Sequence, residues 1–233
     1  MDEAQKYLES AIYPLVAKTT LGASGSGVSF LKNKRDTNRY IHKVFSGKGA
    51  PQRWWPNFSK GKIIKRGLHY VYSPKDINKK VDAYLVRKSD LQKDFVIFQK
   101  YIPHDFEWRV VAIGDSFFAH KKLKMGEKAS GSTLKEYEGP SLKLLDFVYA
   151  IVNQHKFFSQ AVDIFETSQG DFLVNEMQCI FGQSDEFQML VDGIAGRYRH
   201  IEGNWVFEPG NYNENESYNL RVDQVINLFT KRA

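Results

Sequence analysis

The sequence predicts an α+β fold built on antiparallel strands, and three observations lead there. Residues 107–113 and 116–122 are two strand-like segments around Gly114-Asp115, the spacing of a two-residue hairpin. Residues 141–155 place Leu144, Leu145, Val148, Ile151 and Val152 at the spacing of an amphipathic helix. Residues 161–165 and 172–177 form another strand pair, joined by a polar turn with Gln169-Gly170-Asp171. Hairpins interleaved with few helices favour α+β over a doubly wound parallel sheet.

The remaining elements follow in order. Residues 2–10 suit a short helix with Ala4, Leu8 and Ala11 along one side. Residues 13–17 and 28–31 read as strands joined by a glycine-serine turn, Gly22 to Gly27. Residues 33–93 resist placement; 48–51 and 54–56 look like loop and 73–76 like a helix start. Residues 95–102 read as a buried strand ended by Pro103. Beyond about residue 187 the pattern fades to a polar loop at 211–217 and a final helix at 220–229.

Composition limits the function classes. A length of 233 residues suits one large domain or two lobes sharing a cleft. The hydrophobic fraction of 42% supports a substantial core. The net charge of +6 favours an anionic partner such as a nucleotide or nucleic acid. The positive residues concentrate at Lys60, Lys62, Lys65, Arg66, Lys79 and Lys80, runs for which a solvated face is the default reading. Cys179 is the single cysteine, so one chain forms neither a disulfide nor a cysteine-based zinc site. The polar start Met1-Asp2-Glu3 and the lack of a run near ~20 apolar residues imply a cytoplasmic protein without a membrane span.

Three constellations could carry chemistry. Gly22, Ser24, Gly25, Ser26 and Gly27 form a loop with Gly-x4-Gly spacing, but Val28 stands where a P-loop needs lysine. It is either a plain hairpin turn or, with Lys18 upstream, a phosphate clamp of lysine and backbone N–H groups. Glu107 and Arg109, two apart on a strand, share a face opposite Trp108 and Val110. They either pair with each other or line a polar cleft, the glutamate at a ribose hydroxyl and the arginine at an anion. Glu176 and Gln178 share a strand face, and a short hairpin brings Asp163 alongside. Two carboxylates and an amide oxygen suit Mg2+; the alternative is a pair of solvent-exposed acids. The six histidines, at 42, 69, 104, 120, 155 and 200, have no metal spacing, and no Gly-x-Ser-x-Gly elbow occurs.

Taken in order over about residues 10–185, these pieces resemble the ATP-grasp superfamily, and most closely the ligases related to the ribosomal-protein glutamate ligase. Tyr13-Pro-Leu-Val-Ala-Lys18 with the glycine loop looks like the family's strand, phosphate-binding lysine and flap. Gln99-Lys100-Tyr101-Ile102 looks like the hinge that approaches the adenine, with Lys100 where relatives often carry glutamate. Glu107-Trp-Arg109 matches the acidic-x-Arg strand. Lys122 and Lys128-Ala-Ser-Gly-Ser132 fall where relatives place acyl-phosphate residues. Asp163, Glu176 and Gln178 match the magnesium-holding set, with Gln178 replacing the usual asparagine.

The resemblance implies an ATP-grasp fold of two α+β lobes with antiparallel sheets clasping a nucleotide. Residues 1–102 would be the smaller lobe and 103–233 the larger. It implies ATP and Mg2+ as cofactors and a carboxylate–amine ligase acting through an acyl phosphate on small-molecule or peptide substrates. Arg109, Lys122 and Lys128 would be its catalytic cations. The family's usual N-terminal domain has no counterpart here, so part of the acceptor site is expected on a separate domain or a second copy in a homo-oligomer. The alternatives are a small-molecule or sugar kinase of the same fold and, ranked last, a non-catalytic nucleotide- or nucleic-acid-binding module.

Overall fold

A computed structural model of the chain describes residues 1–20, 27–51, 82, 85–86, 90–125, 128–129 and 134–230. The flap residues Gly22, Ser24, Gly25 and Ser26, the basic residues at 60–66 and 79–80, the helix start at 73–76 and Ser130 to Ser132 lie outside them. Two compact units divide the chain, Met1–Tyr101 and Ile102–Ala233. Each has its own antiparallel sheet, so the α+β class holds.

In the first unit, α1 (Asp2–Ser10) precedes β1 (Leu15–Lys18), β2 (Val28–Leu31), α2 (Lys34–Phe45) and β3 (Ile97–Lys100). The sheet order is β2-β1-β3. Helix α2 starts where Asn33 accepts the Asp36 N–H at 3.0 Å, an N-cap. Its buried residues Thr37, Tyr40, Ile41 and Val44 form the i, i+3, i+4, i+7 stripe of a core-facing helix. The stripe lies within residues 33–93, where the sequence pattern resists placement. The expectation of a buried strand over 95–102 needs correction: β3 is shorter, with Phe95 46% and Ile97 36% exposed. Among the described residues it ends the sheet and pairs with β1, and part of its surface is exposed.

The second unit contains β4 (Phe106–Ile113), β5 (Ser116–Met125), β6 (Lys128–Ala129), β7 (Lys135–Glu136), α3 (Leu142–His155), β8 (Ser159–Glu166) and β9 (Phe172–Gln178). It continues with β10 (Leu190–Val191), β11 (Ile194–Ile201), β12 (Asn204–Pro209), a 3-10 turn at Glu214–Ser217 and α4 (Tyr218–Thr230). The main sheet runs β10-β11-β5-β4-β8-β9. The hairpins of β10 to β12 were not expected from the sequence. Their two-residue turns, Asp192-Gly193 and Glu202-Gly203, have positive φ at both positions, which is a hairpin-turn signature.

The two faces of this sheet differ in chemistry. On one, Trp108, Val110, Ala112, Phe117, Ala119, Val162 and Ile164 pack against Leu144, Leu145, Val148 and Val152 of α3. Burial of each Val, Leu, Ile or Phe among them contributes about 1.5–3 kcal/mol. Strand alternation sends the intervening residues of β4, β5 and β8 to the other face. Helix α3 begins at Ser141, whose hydroxyl accepts the Leu144 N–H at 3.3 Å. Ser141→Ala is expected to lower stability by about 1 kcal/mol. A urea melt checks this, and an unchanged midpoint would show the cap to be idle.

No helix among the described residues is long and apolar enough to cross a membrane.

Candidate functional site

The polar face of the larger sheet is built by register. His120 opposes Arg109, Arg109 opposes Asp163, and Asp163 opposes Glu176, which makes one row across β5, β4, β8 and β9. In the next row Lys135 of β7 opposes Lys122, and Lys122 opposes Glu107. Directly opposed residues of antiparallel strands point to the same side, so residues far apart in sequence share one face.

Within it, Arg109 grips Asp163 in a two-pronged bond, Nε to Oδ1 and NH2 to Oδ2, each 2.8 Å. Lys122 Nζ lies 2.6 Å from Asp163 Oδ2 and 2.5 Å from Glu107 Oε2. Glu107, Lys122 and Asp163 are 3%, 6% and 2% exposed, so these charges are buried and mutually compensated. Burial alone would raise the Asp163 carboxyl. The Arg109 bonds and the Lys122 and Arg109 charges outweigh it and hold Asp163 below the usual carboxylate range. Burial likewise works against the Arg109 guanidinium, but Asp163, Glu107 and Glu176 raise it overall.

A β-bulge shapes the far end of this face. The register shifts between Asp163, opposite Glu176, and Ile164, opposite Val174, so Asn175 is the extra residue. Its side-chain amide donates to Glu107 Oε1. Strict alternation does not anticipate that contact, and sequence reasoning missed Asn175 as part of the site. Beside it, Gln178 Nε2 donates to Glu176 Oε1 at 2.8 Å.

The donor set of Asp163, Glu176 and Gln178 fits a hard cation. All three offer oxygen, and Mg2+ needs only one or two carboxylates when waters and phosphates complete its shell. The three are unequal, however. Both Asp163 oxygens already accept bonds from Arg109 and Lys122, whereas Glu176 is exposed. Among the described residues no three His, Cys, Asp or Glu side chains group as a metal cage. The Gln178 amide is therefore needed to complete the set.

The other expected residues divide between the units. Lys18 ends β1, opposite Val28 and Ile97, and the Gly27 carbonyl accepts the Thr19 N–H at 3.0 Å. Gln99 and Lys100 lie on β3 opposite Val16 and Leu15, and the Tyr101 ring meets Phe30 edge-on at 5.1 Å. Ile102 opens the second unit, where its carbonyl accepts His104 Nδ1–H at 2.7 Å. The Lys128 backbone pairs with Met125 in β6.

A second polar cluster, not expected from the sequence, continues the row beyond His120. The Tyr137 ring lies 5.4 Å from the His120 ring. Tyr137 OH and Lys135 Nζ both donate to Asp185 Oδ2 at 2.5 Å, and Lys135 also reaches Gln183 Oε1 at 2.5 Å. Asn213 Nδ2 holds this loop by donating to the Gln183 carbonyl at 2.9 Å. The one signal in sequence was the two-residue spacing of Lys135 and Tyr137, which gives a shared face on a strand.

His120 is 1% exposed, and burial, aided by the Lys135 and Arg109 charges, pushes it down to about 3 from 6.5. Between those values the unfolded chain binds a proton that the folded ring refuses. Stability should therefore fall as pH drops from about 6.5 towards 3, by about 1.4 kcal/mol per unit from this group. In His120→Phe that increment should vanish. Identical pH–stability curves for the two proteins would refute the assignment.

No protein-family model matches the chain, and no curated protein matches it in sequence. Solved structures do. The biotin carboxylase domain of Hydrogenobacter thermophilus 2-oxoglutarate carboxylase, in complex with MgADP, ADP and bicarbonate, is 11% identical at a TM-score of 0.47, over 79% of this chain and 34% of that one. Campylobacter jejuni biotin carboxylase is 14% identical at 0.48, over 79% and 35%. A RimK domain ATP-grasp protein from Sphaerobacter thermophilus is 14% identical at 0.38, over 76% and 47%. The chain spans between a third and a half of the length of these structures, and it is similar to them over that part.

Proposed function

We propose that the chain is an ATP- and Mg2+-dependent carboxylate–amine ligase of the ATP-grasp type. The observation that carries this reading is the gathering of Glu107, Arg109, Lys122, Asp163, Glu176 and Gln178, chosen from sequence, on one sheet face. In this reading residues 1–102 form the nucleotide-clamping lobe and 103–233 the lobe of the chemistry.

Lys18, Gly22, Ser24, Gly25, Ser26 and Gln99 to Ile102 hold the nucleotide, with Gly27 closing the flap. Mg2+ would be held by Glu176, Gln178 and Asp163, and when bound it neutralises charge on the phosphate oxygens. Arg109 and Lys122 supply fixed positive charge towards the transferred phosphoryl group. Asp163 and Glu107 hold those two cations in place, so the arrangement needs little reorganisation. Glu107 thereby acts on Lys122 rather than on a ribose hydroxyl. Lys128 joins the acyl-phosphate end.

The reaction runs in two steps. A substrate carboxylate oxygen attacks the γ-phosphorus, the bond to ADP breaks, and an acyl phosphate forms. The amine nitrogen then bonds to the acyl carbon, inorganic phosphate leaves with the electron pair, and the nitrogen gives up a proton.

An ADP-release screen over amino acids, peptides and sugar acids, each with and without an amine, tests the proposal. The expected result is phosphate release that requires both partners, and a condensed product by mass. A product that keeps the phosphate on a hydroxyl would replace the ligase by a kinase. Salt-sensitive oligonucleotide binding without ATP turnover would replace both.

A further inference from the structure

The ladder between β8 and β9 contains one residue that neither of its neighbouring pairs requires. Asp163 faces Glu176, and the next residue of β8, Ile164, faces Val174, with Asn175 standing between the two pairs. Facing residues point to one side. Val174 therefore lies on the helix side with Ile164, which packs in the core with α3, and Glu176 lies on the polar side with Asp163. Joined directly, Val174 and Glu176 would keep those sides by ordinary alternation. What the extra residue adds is its side chain.

That side chain reaches the polar face as well. A regular strand sends neighbours to opposite faces, yet Asn175 and Glu176 both act on this one, which a bulge permits. Asn175 Nδ2 donates to Glu107 Oε1. The bond runs from β9 to β4, across the strand β8 that separates them. Its acceptor is buried, and the two oxygens of that carboxylate are divided: Oε1 takes the amide, and Oε2 lies 2.5 Å from Lys122 Nζ.

A carboxylate that turns about its last bond moves both oxygens together, so a donor fixed on Oε1 fixes where Oε2 points. Without that donor, Oε1 would be buried and carry a desolvation cost. Glu107 would lower this cost by turning both oxygens to the Lys122 ammonium and drawing it from Asp163, whose Oδ2 lies 2.6 Å away. The donor is also neutral. A carboxylate at this position would repel Glu107, and an ammonium would compete with Lys122 for it.

We infer that Asn175 is a positioning residue for Lys122, acting through Glu107, and that the β9 bulge delivers its amide. The consequence for phosphoryl transfer rests on the ligase reading, but the hold on Lys122 does not.

The test is competitive acetylation of the full chain with trace acetic anhydride. Peptide masses give the labelling of Lys122 relative to Lys135, which lies on the same face and is bonded to Asp185 and Gln183. Asn175→Ala should raise that ratio about tenfold or more, the worth of one hydrogen bond to a charged group. Asn175→Asp keeps the size but loses the donor, and should raise it at least as far. Asn175→Gln keeps the amide and should bring the ratio back towards the wild-type value. Deletion of Asn175 leaves a regular ladder, yet should raise the ratio as Asn175→Ala does. An unchanged ratio in Asn175→Ala or in the deletion, or a normal one in Asn175→Asp, overturns the assignment. So does an equal rise at Lys135, which would mean general loosening. ADP release is followed in the same proteins, where kcat should fall in Asn175→Ala while KM for MgATP stays the same. A Lys122 response with no turnover in the wild-type chain upholds the positioning role and removes the ligase reading. Turnover that is equal in all variants, with Lys122 unmoved, does the reverse.

Discussion

Asp163→Ala is expected to lower the stability of the larger unit by about 3–5 kcal/mol, the cost of stranding buried charges. The carboxylate satisfies both Arg109 and Lys122 from a position 2% exposed, in the middle of the sheet between β4 and β9. Removing it leaves a guanidinium and an ammonium on one buried face, with Glu107 and the exposed Glu176 to offset them among the described residues. Urea unfolding reads the effect as a drop in midpoint with an unchanged slope. A loss under about 1 kcal/mol would mean that water reaches this face and the charges are not buried as described. The pH dependence has a definite sign. The folded carboxyl titrates below its unfolded value, so its contribution is complete above that value and is lost as pH falls through the folded one.

Glu176→Ala should behave in the opposite way. Its side chain is exposed at an edge strand and bonds to Gln178, so the fold has little to lose, within about 0.5 kcal/mol. Activity should fall by about 10³-fold or more, because transition-state charge in phosphoryl transfer is met mainly by positioned opposite charge. Glu176 is the member of the proposed cation set whose oxygens are not consumed by a buried ion pair. The readout is magnesium-dependent ADP release beside a melting curve. Retained turnover with an unchanged melt would remove Glu176 from the site. Together the two variants separate a carboxylate that holds the face together from one that presents a charge to a ligand.

Much of this was legible in the chain itself. Period-two alternation put Glu107 with Arg109 and Glu176 with Gln178 on shared faces, and the short connection after β8 brought Asp163 beside Glu176. The stripe Leu144, Leu145, Val148 and Val152 located α3, and Gly114-Asp115 located the central hairpin. The stripe of α2 and the Asp-Gly turn before β11 carried the same kinds of signal. Both sat in segments where neighbouring polar residues obscured the period.

Partners, by contrast, belong to tertiary structure. Nothing in the chain says that Lys122 bridges Glu107 and Asp163 rather than reaching a ligand. That depends on β4 lying between β5 and β8, and β8 arrives there only after β5 to β7 and helix α3 have intervened in the chain. Nor does alternation place Asn175 against Glu107, since a single extra residue in β9 undoes the period locally. The burial of His120 beside Tyr137 and Lys135 likewise required β7 and the 183–188 loop to close over β5. Which side chains can share a face follows from the order of residues alone, because strand geometry is local. Which of them meet, and which are buried, follows from the folded chain, because register and burial are set by distant segments.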